Sequence, residues 1–105
     1  PQKTFLIGFS QGGAMTLDVG FSFPFAGLCS LSGYLHAEPK GSAQAPPTLI
    51  VHGIQDPVVP LSAAQKARDT LEQLGVNVTY QEFAMEHQII PDVLETLKEF
   101  MMRLG

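Results

Sequence analysis

The pattern of apolar and polar positions along this chain is typical of a sheet covered by helices. Three continuous apolar runs, at residues 4–7, 26–31 and 48–51, predict strands that are buried on both faces. A fourth strand is predicted over residues 76–83, which begins with an apolar residue at every second position. Helical spacing of apolar residues after the first, third and fourth strands predicts three helices. The order β-α-β-loop-β-α-β-α therefore indicates an α/β fold, with a parallel sheet flanked by helices.

Residues with special backbone roles mark the helix boundaries. Ser62 is predicted to cap the second helix, because Gln65 three residues later completes a capping-box pattern, and Gly75 is predicted to end it. Pro91 suits the first turn of the third helix. The apolar face predicted for the third helix consists of Leu94, Leu97, Met101 and Leu104, with Val93 and Phe100 beside it. Residues 33–47 contain three prolines and two glycines and predict a loop.

Composition places the chain among small globular domains. Its 105 residues allow one domain, and a hydrophobic fraction of 45% excludes a disordered chain. Only 15% of the residues are charged, well below the usual ~25%, which predicts a surface that another part of a protein would cover. The net charge of −4 and the lack of a basic cluster argue against nucleic-acid binding. No apolar run reaches the length of about 18 residues that a membrane-spanning helix requires.

The cysteine and histidines of the chain suggest neither a disulfide nor a metal site. Cys29 is the single cysteine, which fits a reducing compartment, and we expect a cytoplasmic protein. Because Cys29 lies within a predicted strand, we expect it to be a small core residue rather than a nucleophile. His36, His52 and His87 lack the spacing of metal ligands, so neither a metal nor a cofactor is expected.

A Gly-x-Ser-x-Gly motif at residues 8–12 stands between the first strand and the first helix. A serine on a sharp strand-to-helix turn has a strained backbone that pushes its hydroxyl out above the sheet edge. We expect glycine at both flanks, Gly8 and Gly12, because side chains there would collide. The helix that follows offers free N–H groups for an oxyanion. Taken alone, the motif is also compatible with a glycine-rich turn that carries no chemistry.

Ser10 is followed, in the right order, by the partners that a nucleophilic serine needs. Asp56 comes after the third predicted strand and His87 after the fourth. Both therefore lie at the carboxyl ends of parallel strands, the edge where open α/β sheets carry their active sites. Taken alone, Asp56 is better explained as a turn aspartate before proline, and His87 as a solvent-exposed loop histidine. The order Ser10, Asp56, His87 and the shared edge predict a catalytic triad.

Two stretches of sequence resemble the phospholipase/carboxylesterase family, which includes the acyl-protein thioesterases of the α/β-hydrolase fold. They are GFSQGGAM at residues 8–15 and HGIQDPVVP at residues 52–60. The resemblance implies that Ser10, Asp56 and His87 are catalytic and that the backbone N–H of Gln11 serves the oxyanion hole. It departs at Glu86, since members commonly have glycine before the catalytic histidine, and a carboxylate there would crowd the loop.

The resemblance covers essentially the whole chain but only the C-terminal half of a typical member. Residues 1–105 are therefore expected to be a single, partial α/β-hydrolase domain without the N-terminal strands and the second oxyanion loop. His52 and Gly53 resemble that loop in sequence, but they precede Asp56 and belong to the acid motif. The first strand is then expected to expose an unpaired apolar edge.

Two functions of different class remain open. The first is a serine hydrolase that cleaves small-molecule carboxylic esters or acyl thioesters with a hydrophobic acyl chain, through an acyl-enzyme intermediate. The second is a catalytically incompetent fragment or interaction module that needs another chain or a missing N-terminal half. The apolar surface is also compatible with a homo-oligomer, in which copies of the chain would associate through it.

Overall fold

The computed structural model describes residues 4–38 and 44–104, and residues 39–43 of the predicted loop lie outside this range. The strands are β1 (Phe5–Phe9), β2 (Gly27–Leu31), β3 (Thr48–Gly53) and β4 (Val78–Phe83). The helices are α1 (Gln11–Val19), α2 (Leu61–Gln73) and α3 (Pro91–Leu104), and a single 3₁₀ turn, Gly20–Ser22, follows α1.

The four strands form one parallel sheet in the order β1-β2-β3-β4. The apolar residues of α1 and α2 pack on one face of the sheet, and those of α3 pack on the other. β2 and β3 lie in the middle and are buried at every position, which explains their continuous apolar sequences. The predicted α/β class, the parallel sheet and the flanking helices are thus confirmed.

The first strand differs from the prediction in its burial. β1 is an edge strand and is only half-buried, with Ile7 42% exposed and Phe9 38% exposed. An apolar run predicts a strand that is buried on both faces, but its actual burial depends on which helices and strands pack beside it. The expected apolar edge is present at β1.

The start of α2 corrects the predicted cap. The helix begins at Leu61 rather than after Ser62, and no side chain caps it. The carbonyl of Pro60 accepts from the N–H of Ala63 at 2.9 Å, so the helical turn starts before Ser62 is reached. The amide of Gln65 turns instead toward Glu82 of β4, at 3.4 Å.

The end of α2 follows the prediction. Gly75 has a φ of 88°, which favours glycine. The N–H groups of Gly75 and Val76 donate back to the carbonyls of Glu72 and Leu71, at 3.0 and 3.1 Å. Because Val76 takes part in this helix end, β4 begins at Val78 and not at residue 76.

The buried face of α3 is rotated from the predicted one. The helix begins at Pro91 as expected, but Leu94 is 58% exposed and Leu104 is 38% exposed. Leu97 is buried as predicted, and the other buried residues of the helix are Val93 and Phe100, which were expected beside the apolar face. Both sets have helical spacing, and the position of the helix over the sheet decides between them. Within the residues that the structure describes, none of the helices has the length and apolar character needed to cross a membrane.

Candidate active site

Ser10 occupies a strained turn between β1 and α1. Its φ of 59° and ψ of −118° lie outside the regions that L-residues prefer. Two backbone hydrogen bonds hold it: its N–H donates to the carbonyl of Leu31 at 2.8 Å, and its carbonyl accepts from the N–H of Ala14 at 3.1 Å. As the first residue of α1, Gln11 has no helical carbonyl for its N–H to bond. The turn therefore presents a hydroxyl beside an amide that no hydrogen bond within the helix occupies.

The glycines around this turn match the prediction only in part. A Cβ at Gly8 would overlap the carbonyl of Gly12, so glycine is required there. A Cβ at Gly12 would meet no heavy atom of the described residues within 4 Å, so the expected collision at this flank is wrong. The close approach occurs one residue later, where a Cβ on Gly13 would lie 2.8 Å from Ser30 Oγ. Gly12 faces open space, whereas Gly13 packs on the sheet.

Asp56 lies in a loop after β3 and is buried. Its Oδ1 accepts hydrogen bonds from the N–H groups of Val58 and Val59, each at 2.8 Å. Its Oδ2 accepts from Nδ1 of His87 at 2.7 Å. Burial by itself raises the pKa of Asp56, but the hydrogen bonds from Val59, His87 and Val58 outweigh it and leave the pKa below its ordinary value. The loop therefore stabilises the ionised form of Asp56 although the side chain is buried.

His87 joins Asp56 to Ser10. Because Nδ1 donates to the carboxylate, Nε2 is free to accept the hydroxyl proton of Ser10, and Nε2 and Oγ are 2.8 Å apart. The ring of Phe9 packs against the imidazole with 4.9 Å between the ring centroids. The three residues predicted from their order in the sequence are thus brought together at the carboxyl edge of the sheet.

The loops that carry Asp56 and His87 are bonded to each other through their backbones. Ile54 and Gln55 donate to the carbonyls of Phe83 and Met85, at 2.9 and 3.1 Å. Gly53 is packed so closely on this second loop that a Cβ would overlap the carbonyls of Met85 and Glu86. Glu86 itself is exposed, so the crowding expected from its side chain does not occur.

A largely apolar cleft of about 500 Å³ opens beside Ser10. It is lined by Ser10, Tyr34, Val58, Val59, Pro60 and Ala63. Sequence reasoning placed Tyr34 in a featureless loop, although its position just after β2 put it at the same edge as the triad. Phe21 and Phe23 line a separate hollow of about 250 Å³ near the amino ends of β2 and β3.

Two further expectations concern cysteine and metals. Cys29 is fully buried in the core, and burial raises the pKa of its thiol to about 12, so it is a core residue without the character of a nucleophile. In residues 4–38 and 44–104, no three His, Cys, Asp or Glu side chains converge in a way that could hold a metal ion.

Comparisons with known proteins agree on one family. The model of the phospholipase/carboxylesterase family matches residues 1–104. Acyl-protein thioesterase 1 of Saccharomyces cerevisiae is 30% identical over 115 residues, which cover 98% of this chain and 50% of the relative. The chain thus spans about half the length of the curated relatives it matches.

Solved structures lead to the same result. The crystal structure of esterase PE8 superposes with a TM-score of 0.90 at 32% identity, over 100% of this chain and 52% of that one. SOBER1 of Arabidopsis thaliana superposes with a TM-score of 0.85 at 30% identity, over 99% of this chain and 54% of that one. The chain belongs to the phospholipase/carboxylesterase family and has part of the α/β-hydrolase fold, corresponding to about half of each of these solved chains.

Proposed function

We propose that this chain carries the catalytic residues of a serine hydrolase that cleaves carboxylic esters or acyl thioesters. The observation that supports it most is the continuous hydrogen-bond chain from Ser10 Oγ through His87 to Asp56, with steps of 2.8 and 2.7 Å. A serine hydroxyl is a poor nucleophile until an adjacent base can take its proton, and this arrangement supplies that base.

In the proposed reaction, Ser10 Oγ attacks the carbonyl carbon of the substrate while His87 Nε2 takes its proton. The oxygen of the tetrahedral intermediate accepts a hydrogen bond from the N–H of Gln11, at the positive end of α1. His87 then returns the proton to the leaving alcohol or thiol as the bond to it breaks, which leaves Ser10 acylated. Water, deprotonated by His87, attacks the acyl carbon, and His87 returns this proton to Ser10 Oγ as the bond between Oγ and the acyl carbon breaks, which releases the acid. Asp56 holds the imidazole in the correct tautomer and stabilises its charged form.

The cleft beside Ser10 supports a substrate with an apolar chain. Its walls are mostly aliphatic, and relatives are named acyl-protein thioesterases and carboxylesterases. Neither a metal nor a cofactor has a part in this reaction. The single, buried Cys29 agrees with a reducing compartment, and the cytoplasmic location stays a prediction.

The test is labelling of the full-length protein with a serine-directed fluorophosphonate, together with hydrolysis of matched ester and thioester substrates. We expect Ser10→Ala to abolish both, while Ser62→Ala, at an exposed serine of α2, leaves both unchanged. Labelling that persists in Ser10→Ala would contradict the proposal. Running the same assay on this chain alone decides whether it is active without further sequence, since a rate near that of the full-length protein excludes the inactive-fragment alternative.

A further inference from the structure

His52 lies at the end of β3, outside the roles assigned so far, with its side chain fully buried. Its Nε2 is 2.7 Å from the carbonyl oxygen of Val59, and its Nδ1 is buried with no hydrogen-bond partner among the described residues. A carbonyl oxygen can only accept, so Nε2 must carry the proton.

This hydrogen bond closes the loop that presents Asp56. The carbonyl of Val59 accepts from His52, while the N–H of Val59 donates to Asp56 Oδ1 at 2.8 Å. Both backbone polar groups of Val59 are thus hydrogen-bonded, its carbonyl to His52 and its N–H to the carboxylate of Asp56. The same Nε2 lies 3.5 Å from Asp56 Oδ2, the oxygen that accepts from His87. Any shift of the imidazole of His52 would therefore be passed to the carboxylate.

We propose that His52, protonated on Nε2, is a positioning residue that holds Val59 and thereby orients Asp56 toward His87. This inference rests on the proposed function, because its consequence for catalysis passes through the triad. Without the N–H of His52, the carbonyl of Val59 would be left in a buried place without its donor, and the loop would move to find another. Asp56 would then no longer direct the Nδ1 proton of His87.

The test in the full-length protein compares two substitutions of His52, one without a hydrogen-bond donor and one with a donor. His52→Phe fills the space without a donor, while His52→Gln can place its side-chain N–H near the position of Nε2. A misplacement of about 1 Å costs roughly 100-fold in rate, so we expect kcat of His52→Phe to fall ~10–100-fold with KM changed less than ~2-fold. His52→Gln should recover a substantial part of kcat. Leu49→Ala, also buried on β3, is the control for lost packing and should leave kcat of the folded protein unchanged.

Two NMR measurements separate positioning from a purely structural role. The Nδ1 proton of His87, hydrogen-bonded to Asp56, should give a far-downfield ¹H signal that is lost in His52→Phe and kept in His52→Gln, Ser10→Ala and Leu49→Ala. In the wild-type protein, the ¹⁵N shifts of His52 should show a proton-bearing Nε2.

Either of two results would overturn the inference: an Nε2 of His52 that carries no proton, or an unchanged His87 signal and kcat in folded His52→Phe. If His52→Phe does not fold, the wild-type ¹⁵N shifts and the His52→Gln variant decide. If Ser10→Ala keeps full activity, the proposed function fails, while the two NMR measurements still test the position of His52.

Discussion

The turn that carries Ser10 and the loop that carries Asp56 are held in place by different means. Ser10 follows the edge strand β1 in a turn with a φ of 59°, fixed by backbone packing and two backbone hydrogen bonds. Asp56 is buried, and its carboxylate accepts from two amides and one imidazole. The turn should therefore respond to the size of a side chain, and the acid loop to charge and to lost donors.

The largest effect is expected where size matters most, at Gly8. A Cβ there would overlap the carbonyl of Gly12, so Gly8→Ala must move the turn and should lower the free energy of unfolding by about 3 kcal/mol. Gly12→Ala is the matched control, since its Cβ meets no described heavy atom within 4 Å and alanine is the better helix former. Urea unfolding of the full-length variants measures both. Equal stability losses at Gly8 and Gly12 would show that packing does not determine the turn.

The second effect tests the acid loop through its charge. Asp56→Asn keeps the size of the side chain but removes a charge that accepts three hydrogen bonds, and should cost about 1.5–3 kcal/mol at neutral pH. Because the pKa of Asp56 is lowered by folding, its stabilising effect is present above the unfolded pKa, near 4, and is lost as the pH falls through the lower, folded value.

The measurement is the free energy of unfolding as a function of pH. Between about pH 5 and pH 2, the wild-type protein should lose more stability than Asp56→Asn, which has no carboxylate to protonate at this position. Asp69→Asn, at an exposed aspartate of α2, should follow the wild-type curve. Parallel curves for the wild type and Asp56→Asn would contradict the difference drawn between the turn and the loop.

The sequence predicts well whatever depends on neighbouring residues. β2 and β3 were predicted within a residue or two because continuous apolar runs state directly that both faces are covered. Gly75 ends α2 as expected, since the motif is local. The predicted cap at Ser62 was wrong because capping depends on the path of the preceding loop. That path lets the carbonyl of Pro60 accept from Ala63, so the helix begins before Ser62.

In the candidate site, too, some features could be predicted from the sequence and others could not. Ser10, Asp56 and His87 could be predicted because each follows a strand and all three come in a recognisable order. The contact of Phe9 with His87, the place of Tyr34 in the cleft and the bond from His52 to Val59 could not. Each depends on a distance through space that only the packed sheet determines.

A third effect concerns β1, the strand that carries the nucleophile, in comparison with β4 at the other edge. Ile7 is 42% exposed on β1, and an exposed apolar edge favours pairing with another copy. In this chain alone, Ile7→Lys should weaken self-association by about 1 kcal/mol per copy. This is part of the free energy gained when an isoleucine side chain is fully buried. Gln81→Lys, at an exposed position of β4, should leave it unchanged. Sedimentation velocity over a range of concentrations measures the difference, and equal association of the two variants would mean that the copies do not meet at β1.

The smallest effect joins the two regions, because the ring of Phe9 on β1 packs against the imidazole of His87. Phe9→Leu keeps most of the apolar contact but loses the interaction between the rings, which is worth about 0.5 kcal/mol at a partly exposed site. Since His87 stays bonded to Asp56, we expect kcat to fall only about twofold, in line with that energy.

Phe23→Leu is the matched control for this contact. Phe23 is also an exposed phenylalanine in an aromatic pair, with 6.1 Å between its ring centroid and that of Phe25. It lies near the amino end of β2, whereas the triad lies at the carboxyl ends of the strands. It should lose a similar small amount of stability with no change in kcat. A fall in kcat of more than tenfold in Phe9→Leu would mean that the acid loop does not hold His87 by itself, and that the apolar strand β1 positions the base as well as the nucleophile.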